Sequence, residues 1–465
     1  KLDPTVAELE QAWQPIAQQI KEFSEENNKK ILFTEIGYQS VDGTNIHPWY
    51  STGAIDLNEQ ADAYNAFLNI YNDKNWVQGI VWWNWEAWGD QGGPADSDFT
   101  TRNKPAELVI RERWAGINRP PITVIQTYSF ESGSEGWVFN SVPGFFSVPG
   151  SGWANGSLRL TSVDANTFGF WASPSEIQIL ADKLYFVRYK VSTDESDPAR
   201  VPQIRPRYNA QSEQKAAYLV VPTAYGQASA APTVDGRNYY LFFKPPESSI
   251  GKAGMDKLYL SFDLTNFDVS DNPTASVFLQ EAEVSTIETS SVIFREVKRY
   301  TFDYGEEGWA HFGAPSAFNE PSYSNYNGML KMTANDKNTF GFWRSPNELP
   351  AESGKLYRLR FKVSSDVADR EKVPQFRLRV NLFSEEYASV ELVTSNNGAE
   401  SSPINGEVKE YESYFTLPEN TPTPSPAGMY VSFDLVNIGV DEQADTSIML
   451  DELIVEEAVN LTVFK

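Results

Sequence analysis

The sequence predicts a multidomain protein with an α/β region over residues 1–118 and two all-β sandwiches of the jelly-roll type over residues 123–287 and 295–465. Two observations predict this organisation. The last two regions repeat each other, and the first region has a helical periodicity that both repeats lack. At 465 residues, the chain is long enough for separate hydrophobic cores in each region.

Composition excludes several classes of function. The chain has 38 Lys and Arg against 63 Asp and Glu, a net charge of −25, which argues against nucleic acid or an anionic membrane as a partner. It has no Cys, so neither a disulfide nor a zinc–thiolate site can form. No apolar run reaches the roughly 18 residues of a membrane span, so we expect no transmembrane segment.

The duplication is visible in three motifs. The hexapeptide Asn-Thr-Phe-Gly-Phe-Trp at 166–171 returns at 338–343. Val-Pro-Gln at 201–203, with Arg two and four residues later, returns at 373–375. Tyr-x-Phe followed by Glu-Gly-Trp, at 128–137, returns at 300–309, and all three pairs keep an offset of 172 residues. Chance does not produce three ordered motifs at one offset.

Each repeat is a series of short segments with period-2 alternation, separated by clusters of Gly, Pro, Asn and Ser. Residues 184–191 and 356–363 alternate apolar with basic or polar side chains, as half-buried antiparallel strands do. We expect a two-sheet sandwich in each repeat, with linkers near residues 118–121 and 288–296.

One predicted strand in each repeat carries polar residues at every second position, and we call each set a polar stripe. The stripes are Gln203, Arg205, Arg207 and Asn209 in the first repeat, and Gln375, Arg377, Arg379 and Asn381 in the second. Amides and guanidinium groups present paired donors to sugar hydroxyls or carboxylates. We expect Trp171 and Trp343, at nearby strand ends, to stack on sugar rings. The alternative is a solvated sheet face with both Trp in the core.

The first region follows a different period. Residues 6–25, 57–71 and 105–114 are predicted helices, the second capped by Asp56. Residues 31–37 and 77–86 are predicted strands with apolar residues on both faces, which indicates parallel strands covered by helices. Glu35 ends the first of these strands, where a buried carboxylate is costly unless it is paired or functional.

Four motifs of this region resemble, in order, the end of a glycoside hydrolase family 113 barrel. They are Phe-Thr-Glu-Ile-Gly-Tyr at 33–38, His-Pro-Trp at 47–49, Trp-Trp-Asn-Trp-Glu at 82–86 and Arg-Asn-Lys-Pro-Ala at 102–106. That family contains retaining β-1,4-mannanases with (β/α)8 barrels. The resemblance implies that residues 1–118 are the last two βα units of a partial barrel.

The resemblance also implies roles for single residues. Glu35 matches the nucleophile, Trp83 or Trp85 the floor of the adjacent sugar subsite, and His47 and Trp49 further substrate contacts. The acid/base belongs on the fourth barrel strand, in an Asn-Glu pair that this sequence lacks, and Glu86 matches no catalytic position. We therefore expect no hydrolysis by this chain alone, and no cofactor for catalysis in the parent protein.

The ends of both repeats resemble those of jelly-roll carbohydrate-binding modules attached to secreted polysaccharide hydrolases. The resemblance rests on the opening aromatic-x-Phe and Gly-Trp and on the closing residues 449–455. It implies a polysaccharide or oligosaccharide ligand and a secreted or cell-surface location. Such modules often hold a structural calcium ion between their first and last strands, where Asp303 and Asp451 stand. The alternative is that both are solvated acids at strand ends.

Two further interpretations remain beside a secreted glycoside hydrolase. One is a non-catalytic carbohydrate-binding protein that keeps a remnant of a barrel. The other is a structural component of a cell surface or filament, because tandem β-sandwiches also build such assemblies.

Overall fold

The computed structural model describes residues 3–49, 53–85, 91–93, 95–115, 119–210, 215–220, 231–245, 250–251, 256–267, 274–315, 318–347, 349, 354–382, 387–393, 403–416, 429–438 and 445–463. The N-terminal region contains helices α1 Val6–Asn27, α2 Leu57–Tyr71 and α3 Pro105–Ala115, and strands β1 Ile31–Ile36 and β2 Val77–Trp82. Each element begins at the residue where its hydrophobic period predicts it, and Asp56 caps α2 by accepting from the Glu59 N–H at 2.8 Å.

Strands β1 and β2 are parallel, with Phe33 paired to Ile80 and Ile36 to Trp82. Side chains of the helices pack on one face of this two-stranded sheet. Leu32 and Val81 point to the opposite face, and about half of each side chain is exposed. Among the described residues, the helices therefore cover one face of this sheet and leave the face with Leu32 and Val81 open. A sheet of two strands closes no barrel within the described residues.

The described strands of the first repeat are β3 Ile122–Tyr128, β4 Val138–Ser141, β5 Gly150–Ala154, β6 Ser157–Thr161, β7 Asn166–Ala172, β8 Ile177–Gln178, β9 Lys183–Thr193, β10 Gln203–Ala210, β11 Lys215–Val220, β12 Arg237–Phe243, β13 Lys257–Phe267 and β14 Ser276–Glu288. Those of the second are β15 Phe294–Tyr300, β16 Ala310–Gly313, β17 Ser322–Asn325, β18 Leu330–Thr333, β19 Asn338–Arg344, β20 Lys355–Ser365, β21 Gln375–Leu382, β22 Tyr387–Val393, β23 Val408–Thr416, β24 Met429–Ile438 and β25 Ser447–Thr462. Helical structure in the described part of both repeats is limited to single turns.

Each repeat has one sheet of its own. In the first repeat the strand order is β12-β9-β14-β6-β5, with β3 also paired to β14. In the second the order is β17-β18-β25-β20-β23, with β15 also paired to β25. The facing layer is a single sheet that runs through both repeats, in the order β16-β19-β24-β21-β22-β11-β10-β13-β7-β4, with β8 beside β13.

The junction of this shared sheet is an antiparallel pair of β11 and β22, in which Tyr218 lies opposite Val390. The sequence predicts two sandwiches and not this junction. Each of these strands would otherwise leave a row of backbone groups unpaired at the edge of its repeat. Pairing the two edges satisfies both rows and makes one continuous face.

The core lies between the shared sheet and the two separate sheets, and alternate residues of each strand enter it. A second apolar cluster joins the two repeats on the outer side of their own sheets. It contains Leu184, Phe186, Tyr240, Phe242, Ile287, Val292, Leu356, Tyr414, Ala458, Leu461 and Val463. Because Leu184 and Phe186 are buried in this cluster, β9 is covered on both faces there, and its predicted half-burial is wrong at that end.

The N-terminal region contacts the second repeat. Helix α3 packs near β25, and Arg111 Nη1 donates to the Val459 carbonyl at 3.4 Å. None of the helices within the described residues has the length and apolarity needed to cross a membrane.

Candidate functional site

The polar stripes lie on the outer face of the shared sheet. In β10, Ile204 and Tyr208 point into the core, while Gln203, Arg205 and Arg207 alternate with them and are half-buried. Strand β21 repeats the pattern, with Phe376, Leu378 and Val380 in the core. Antiparallel neighbours bring opposite residues onto the same face, so the surface of each stripe is built from several strands.

The first stripe is held by hydrogen bonds within the face. Gln203 Oε1 accepts from Thr265 Oγ1 at 2.7 Å, and Arg207 Nε donates to Asn209 Oδ1 at 2.8 Å. Asn209 Nδ2 donates in turn to Ser261 Oγ at 3.4 Å. These bonds fix the planes of the amide and guanidinium groups, which lowers the entropy lost when they bind a ligand.

A buried carboxylate lies beneath each stripe. Asp263 is opposite Arg205 in the register of β13 and β10, and its Oδ2 is 3.6 Å from Arg207 Nη1. Burial raises the pKa of Asp263, and the nearby Arg207 charge opposes this rise. A buried acid next to guanidinium groups orients them and removes part of their charge.

In the second repeat the equivalent carboxylate holds both arginines more closely. Asp434 Oδ2 accepts from Arg377 Nε at 2.6 Å and lies 2.7 Å from Arg379 Nε. Arg379 Nη2 also donates to Asp434 Oδ1 at 3.3 Å, and the side chains of Arg377 and Arg379 remain 22% and 12% exposed. The side chain of Asn381, predicted as the fourth member of this stripe, lies outside the described residues.

Trp171 and Trp343 are not sugar platforms. They are 8% and 0% exposed, and their indole N–H groups donate to the backbone carbonyls of Arg159 and Lys331. The physical reason is the period of two. Each Trp stands at a position of β7 or β19 that points into the core, so the predicted stacking role is wrong.

The aromatic rings on the stripe face come one and three residues earlier. Phe168 and Phe170 in β7, and Phe340 and Phe342 in β19, are half-buried and point outward. Phe340 is 5.5 Å from the Arg377 guanidinium and Phe342 is 5.4 Å from that of Arg379, measured to the ring centroids. The repeated hexapeptide predicts this arrangement, because alternation along a strand places its two Phe residues on the face opposite to that of its Trp.

The N-terminal region has a groove of about 340 Å³ at the carboxyl ends of β1 and β2, lined by Glu35, Gly37, Pro48, Trp49, Trp83 and Phe99. The structure thus brings Glu35, Trp49 and Trp83 together. Gly37 permits this approach, since a Cβ there would lie 1.7 Å from the Trp83 carbonyl oxygen. His47 packs edge-on against Trp49, with ring centroids 5.9 Å apart. Trp85 is exposed and is not among the lining residues.

Glu35 itself is exposed, so the expectation of a costly buried carboxylate is wrong. Helices cover the sheet face that carries Phe33 and Ile36, whereas Glu35 lies at the groove with Trp49 and Trp83. Glu35 is the sole carboxylate among the described residues that line this groove and its apolar neighbour beside α1. Glu86, on the neighbouring segment, lies outside the described residues.

Two buried charges hold the loops of this groove, and neither role was predicted from the sequence. Glu59 accepts from the Gly43 N–H at 2.8 Å and from the Asn45 N–H at 3.2 Å, which shapes the loop that carries His47 and Trp49. Lys104 is fully buried and donates to Ser40 Oγ at 2.9 Å and to the Asp98 carbonyl at 2.8 Å. Asp96 lies 3.1 Å from the Lys104 ammonium group.

Asp303 and Asp451 lie close enough to repel each other. Burial raises the pKa of Asp451, and the neighbouring Glu452 and Asp303 charges add to this rise against the opposing effect of Lys362. No group of three or more Asp, Glu or His residues suited to a metal occurs among the described residues. Two carboxylates alone are a small set for calcium, so such a site would need backbone carbonyls and water as further ligands.

The N-terminal motifs have a counterpart among known families. Residues 4–104 match the family model of Glycoside Hydrolase Family 113. This match confirms the glycosidase resemblance of the N-terminal region, which is glycoside hydrolase-like. The comparison with curated proteins gives no match.

Solved structures of both expected kinds are similar to parts of the chain. A GH113 β-1,4-mannanase is 28% identical over 22% of this chain and 35% of its own, with a TM-score of 0.21. The GH113 β-mannanase AaManA from Alicyclobacillus acidocaldarius, in complex with ManMIm, is 28% identical over 23% and 36%, with a TM-score of 0.21. The chain therefore spans about a third of the length of these mannanases.

The repeats are similar to carbohydrate-binding modules. The CBM22-1–CBM22-2 tandem domain of Paenibacillus barcinonensis Xyn10C is 13% identical over 74% of this chain and 98% of its own, with a TM-score of 0.25.

Proposed function

We propose that this protein binds a polysaccharide on the outer face of its shared sheet, and that it forms part of a secreted or cell-surface glycoside hydrolase. The observation that carries the proposal is the repetition of one surface chemistry. Both repeats place a Gln, two Arg and two outward Phe on the same strands of the same face. These surface residues alternate along each strand with the side chains of the core. Packing of the core therefore does not explain why the same polar and aromatic residue types recur on the outer face.

The chemistry of the face suits sugar. Pyranose rings have apolar C–H faces and hydroxyl edges, and aromatic rings next to planar amide and guanidinium donors match both features. The carboxylates of Asp263 and Asp434 hold the arginines in place. A ligand therefore meets donors that are already oriented, which reduces the entropic cost of binding.

Binding is tested by affinity electrophoresis and calorimetry against mannan, glucomannan, xylan, cellulose and an acidic glycan. The informative variants are Phe170→Ala with Phe342→Ala, and Arg205→Ala. Tyr304→Ala is the matched control, because this ring is 97% exposed in a turn after β15 and lies on neither stripe. We expect weaker retention of the stripe variants and unchanged retention of the control. Equal retention of all variants on a glycan that the parent binds would remove the stripes from the function.

For the N-terminal region we propose the chemistry of retaining glycosidases, with Glu35 as the nucleophile. Its carboxylate would attack the anomeric carbon, a second carboxylic acid would protonate the leaving oxygen, and Trp83 and Trp49 would contact the sugar rings. The mannan specificity is part of this proposal and rests on the family match. In a protein that contains the acid/base, we expect Glu35→Gln to abolish hydrolysis without changing the melting temperature, because the side chain is exposed.

The second candidate is a non-catalytic carbohydrate-binding protein. It is favoured by one observation, that Glu35 is the sole carboxylate among the described lining residues of the two grooves. Retaining hydrolysis needs two carboxyl groups about 5 Å apart. Hydrolysis of mannan or another β-glycan by this chain would exclude the second candidate. Binding without hydrolysis, in a protein that also contains the acid/base, would support it.

A further inference from the structure

The two stripes belong to one surface because β11 and β22 pair. Five residue pairs join these strands, from Ala216 opposite Leu392 to Val220 opposite Ala388. The pairing makes the outer faces of the two repeats a single sheet face. Two modules on a flexible linker would have no fixed distance or angle between their sites, whereas here both are fixed by backbone hydrogen bonds.

The register aligns the stripes in one row. Arg207 is opposite Tyr218, Tyr218 is opposite Val390, and Val390 is opposite Arg379. Arg207 and Arg379 are equivalent residues of the two repeats, as are Tyr218 and Val390 at the same offset. The repeats are therefore related by an approximate two-fold axis that passes between Tyr218 and Val390.

The same row continues outward on both sides. Ser261 and Ala172 lie beyond Arg207, and Ser432 and Arg344 lie beyond Arg379. Three strand spacings separate β10 from β21, which places the two stripes about 14 Å apart. That separation is short enough for one extended glycan to reach both stripes at once.

The charge on this face supports one ligand crossing it. Each stripe has two arginines above one buried carboxylate, and Arg344 adds a further cation beside the second stripe, 4.1 Å from the Tyr430 ring centroid. The face is thus locally cationic on a chain whose net charge is −25. The face therefore presents guanidinium donors in both repeats, which the hydroxyl or carboxylate oxygens of a glycan can accept.

We propose that the two stripes form one composite site, which binds a single linear polysaccharide chain running across the strands of the shared sheet. This inference rests on the proposed function, since it needs the stripes to bind sugar. It goes beyond that function by naming a long linear glycan as the preferred ligand, and by assigning one ligand to two repeats.

The test is calorimetry of the full chain with linear oligosaccharides of increasing length, taken from the polysaccharide that the binding screen selects. A composite site gives two short oligosaccharides per chain, but one oligosaccharide once it spans both stripes. Effective concentration should make the spanning oligosaccharide bind about 100-fold more tightly or better. Two oligosaccharides per chain at every length, with equal affinity, would overturn the composite site.

Variants of one stripe give an independent readout. Phe168→Ala with Phe170→Ala removes the rings of the first stripe, and Phe340→Ala with Phe342→Ala those of the second. In a composite site, either double substitution reduces the affinity for the long oligosaccharide to that for a short one. The stoichiometry stays at one long oligosaccharide per chain. If either pair instead halves the stoichiometry and leaves the affinity unchanged, the sites are independent. Failure of the parent to bind any glycan would contradict the proposed function itself, which is a different result.

The phenylalanine variants should still fold, because they leave both arginine–aspartate pairs intact. Their melting temperatures should stay close to that of the parent, which circular dichroism measures. Arg207→Lys and Arg379→Lys serve as a second set that keeps the charge but removes the planar fork of donors. We expect each substitution to weaken binding of the long oligosaccharide by about tenfold. An affinity equal to that of the parent in both variants would count against the row that joins Arg207 and Arg379.

Discussion

Arg377 and Asp434 form a close ion pair, with 2.6 Å from Nε to Oδ2, at a position where the first repeat places Arg205 opposite Asp263. The two carboxylates are equivalent in sequence and are both buried, at 1% and 0% exposure. They differ in their partners. Asp434 contacts two guanidinium groups at short distance, whereas Asp263 Oδ2 lies 3.6 Å from Arg207 Nη1.

This difference predicts that replacing Asp by Asn has different effects on stability in the two repeats. Asp434→Asn removes a buried carboxylate that two cations neutralise, and should lower the free energy of unfolding by about 3 kcal/mol. Asp263→Asn removes a buried carboxylate whose ionised form is disfavoured by burial, so stability at pH 7 should stay constant or rise. Urea unfolding of both variants measures the difference. Equal losses of unfolding free energy in the two variants would contradict the different environments of Asp263 and Asp434.

Stability should also depend on pH through Asp263. Its pKa in the folded state is raised, so the folded protein holds this proton more tightly than the unfolded chain. The resulting stabilisation is fully present below the ordinary pKa of 3.8 and is lost as the pH rises through the folded value. We expect the stability of Asp263→Asn relative to the parent to increase from pH 4 to pH 7. A difference that does not change over this range would place the titration elsewhere.

The elements of the N-terminal region were predictable because local signals set them. Helix α2 begins at Leu57 because Asp56 caps it, and its buried face follows the helical period. The burial of Glu35 was predicted wrongly, because an apolar strand does not reveal which of its faces a helix covers. That depends on packing across the region, and here the helices occupy one face only.

The position of the polar stripe could be predicted from its period of two, but its aromatic partner was assigned to the wrong residue. Trp171 is predicted to stack because it lies at a strand end of the repeat, whereas alternation from Phe170 places it in the core. The junction of β11 with β22 had no sequence signal, because pairing between edge strands depends on how two folded repeats meet. The burial of Lys104 could not be predicted either, since it depends on packing against Ser40, which lies 64 residues away in the sequence.

The core position of Trp343 and the surface position of Phe342 predict separable effects. Trp343→Ala should lower the free energy of unfolding by about 3–5 kcal/mol, because it empties a fully buried site. Phe342→Ala should lower glycan affinity at a smaller cost in stability. Chemical denaturation and calorimetry on both variants measure the two quantities. Loss of affinity in Trp171→Phe at unchanged stability would restore the stacking role to the Trp residues.

Calcium should stabilise the second repeat if Asp303 and Asp451 hold the ion. The repulsion that helps to raise the Asp451 pKa would then be relieved by a divalent cation. We expect a higher melting temperature in calcium chloride than in EDTA, and no such difference in Asp451→Asn. Glu131→Gln is the matched control at the equivalent place in the first repeat. Identical melting in calcium and EDTA would leave the two acids as solvated strand-end residues.

The buried Lys104 predicts how the stability of the N-terminal region changes at alkaline pH. Burial lowers its pKa to about 8, against the opposing effect of Asp96, so the folded protein releases this proton more readily than the unfolded chain. Because the unfolded chain binds more protons above that value, stability should rise as the pH increases from about 8 towards the ordinary lysine pKa of 10.5. Lys104→Met should remove this rise, and urea unfolding from pH 7 to pH 10 measures it. A parent whose stability falls steadily over this range, in parallel with Lys104→Met, would show that Lys104 stays charged in its buried site.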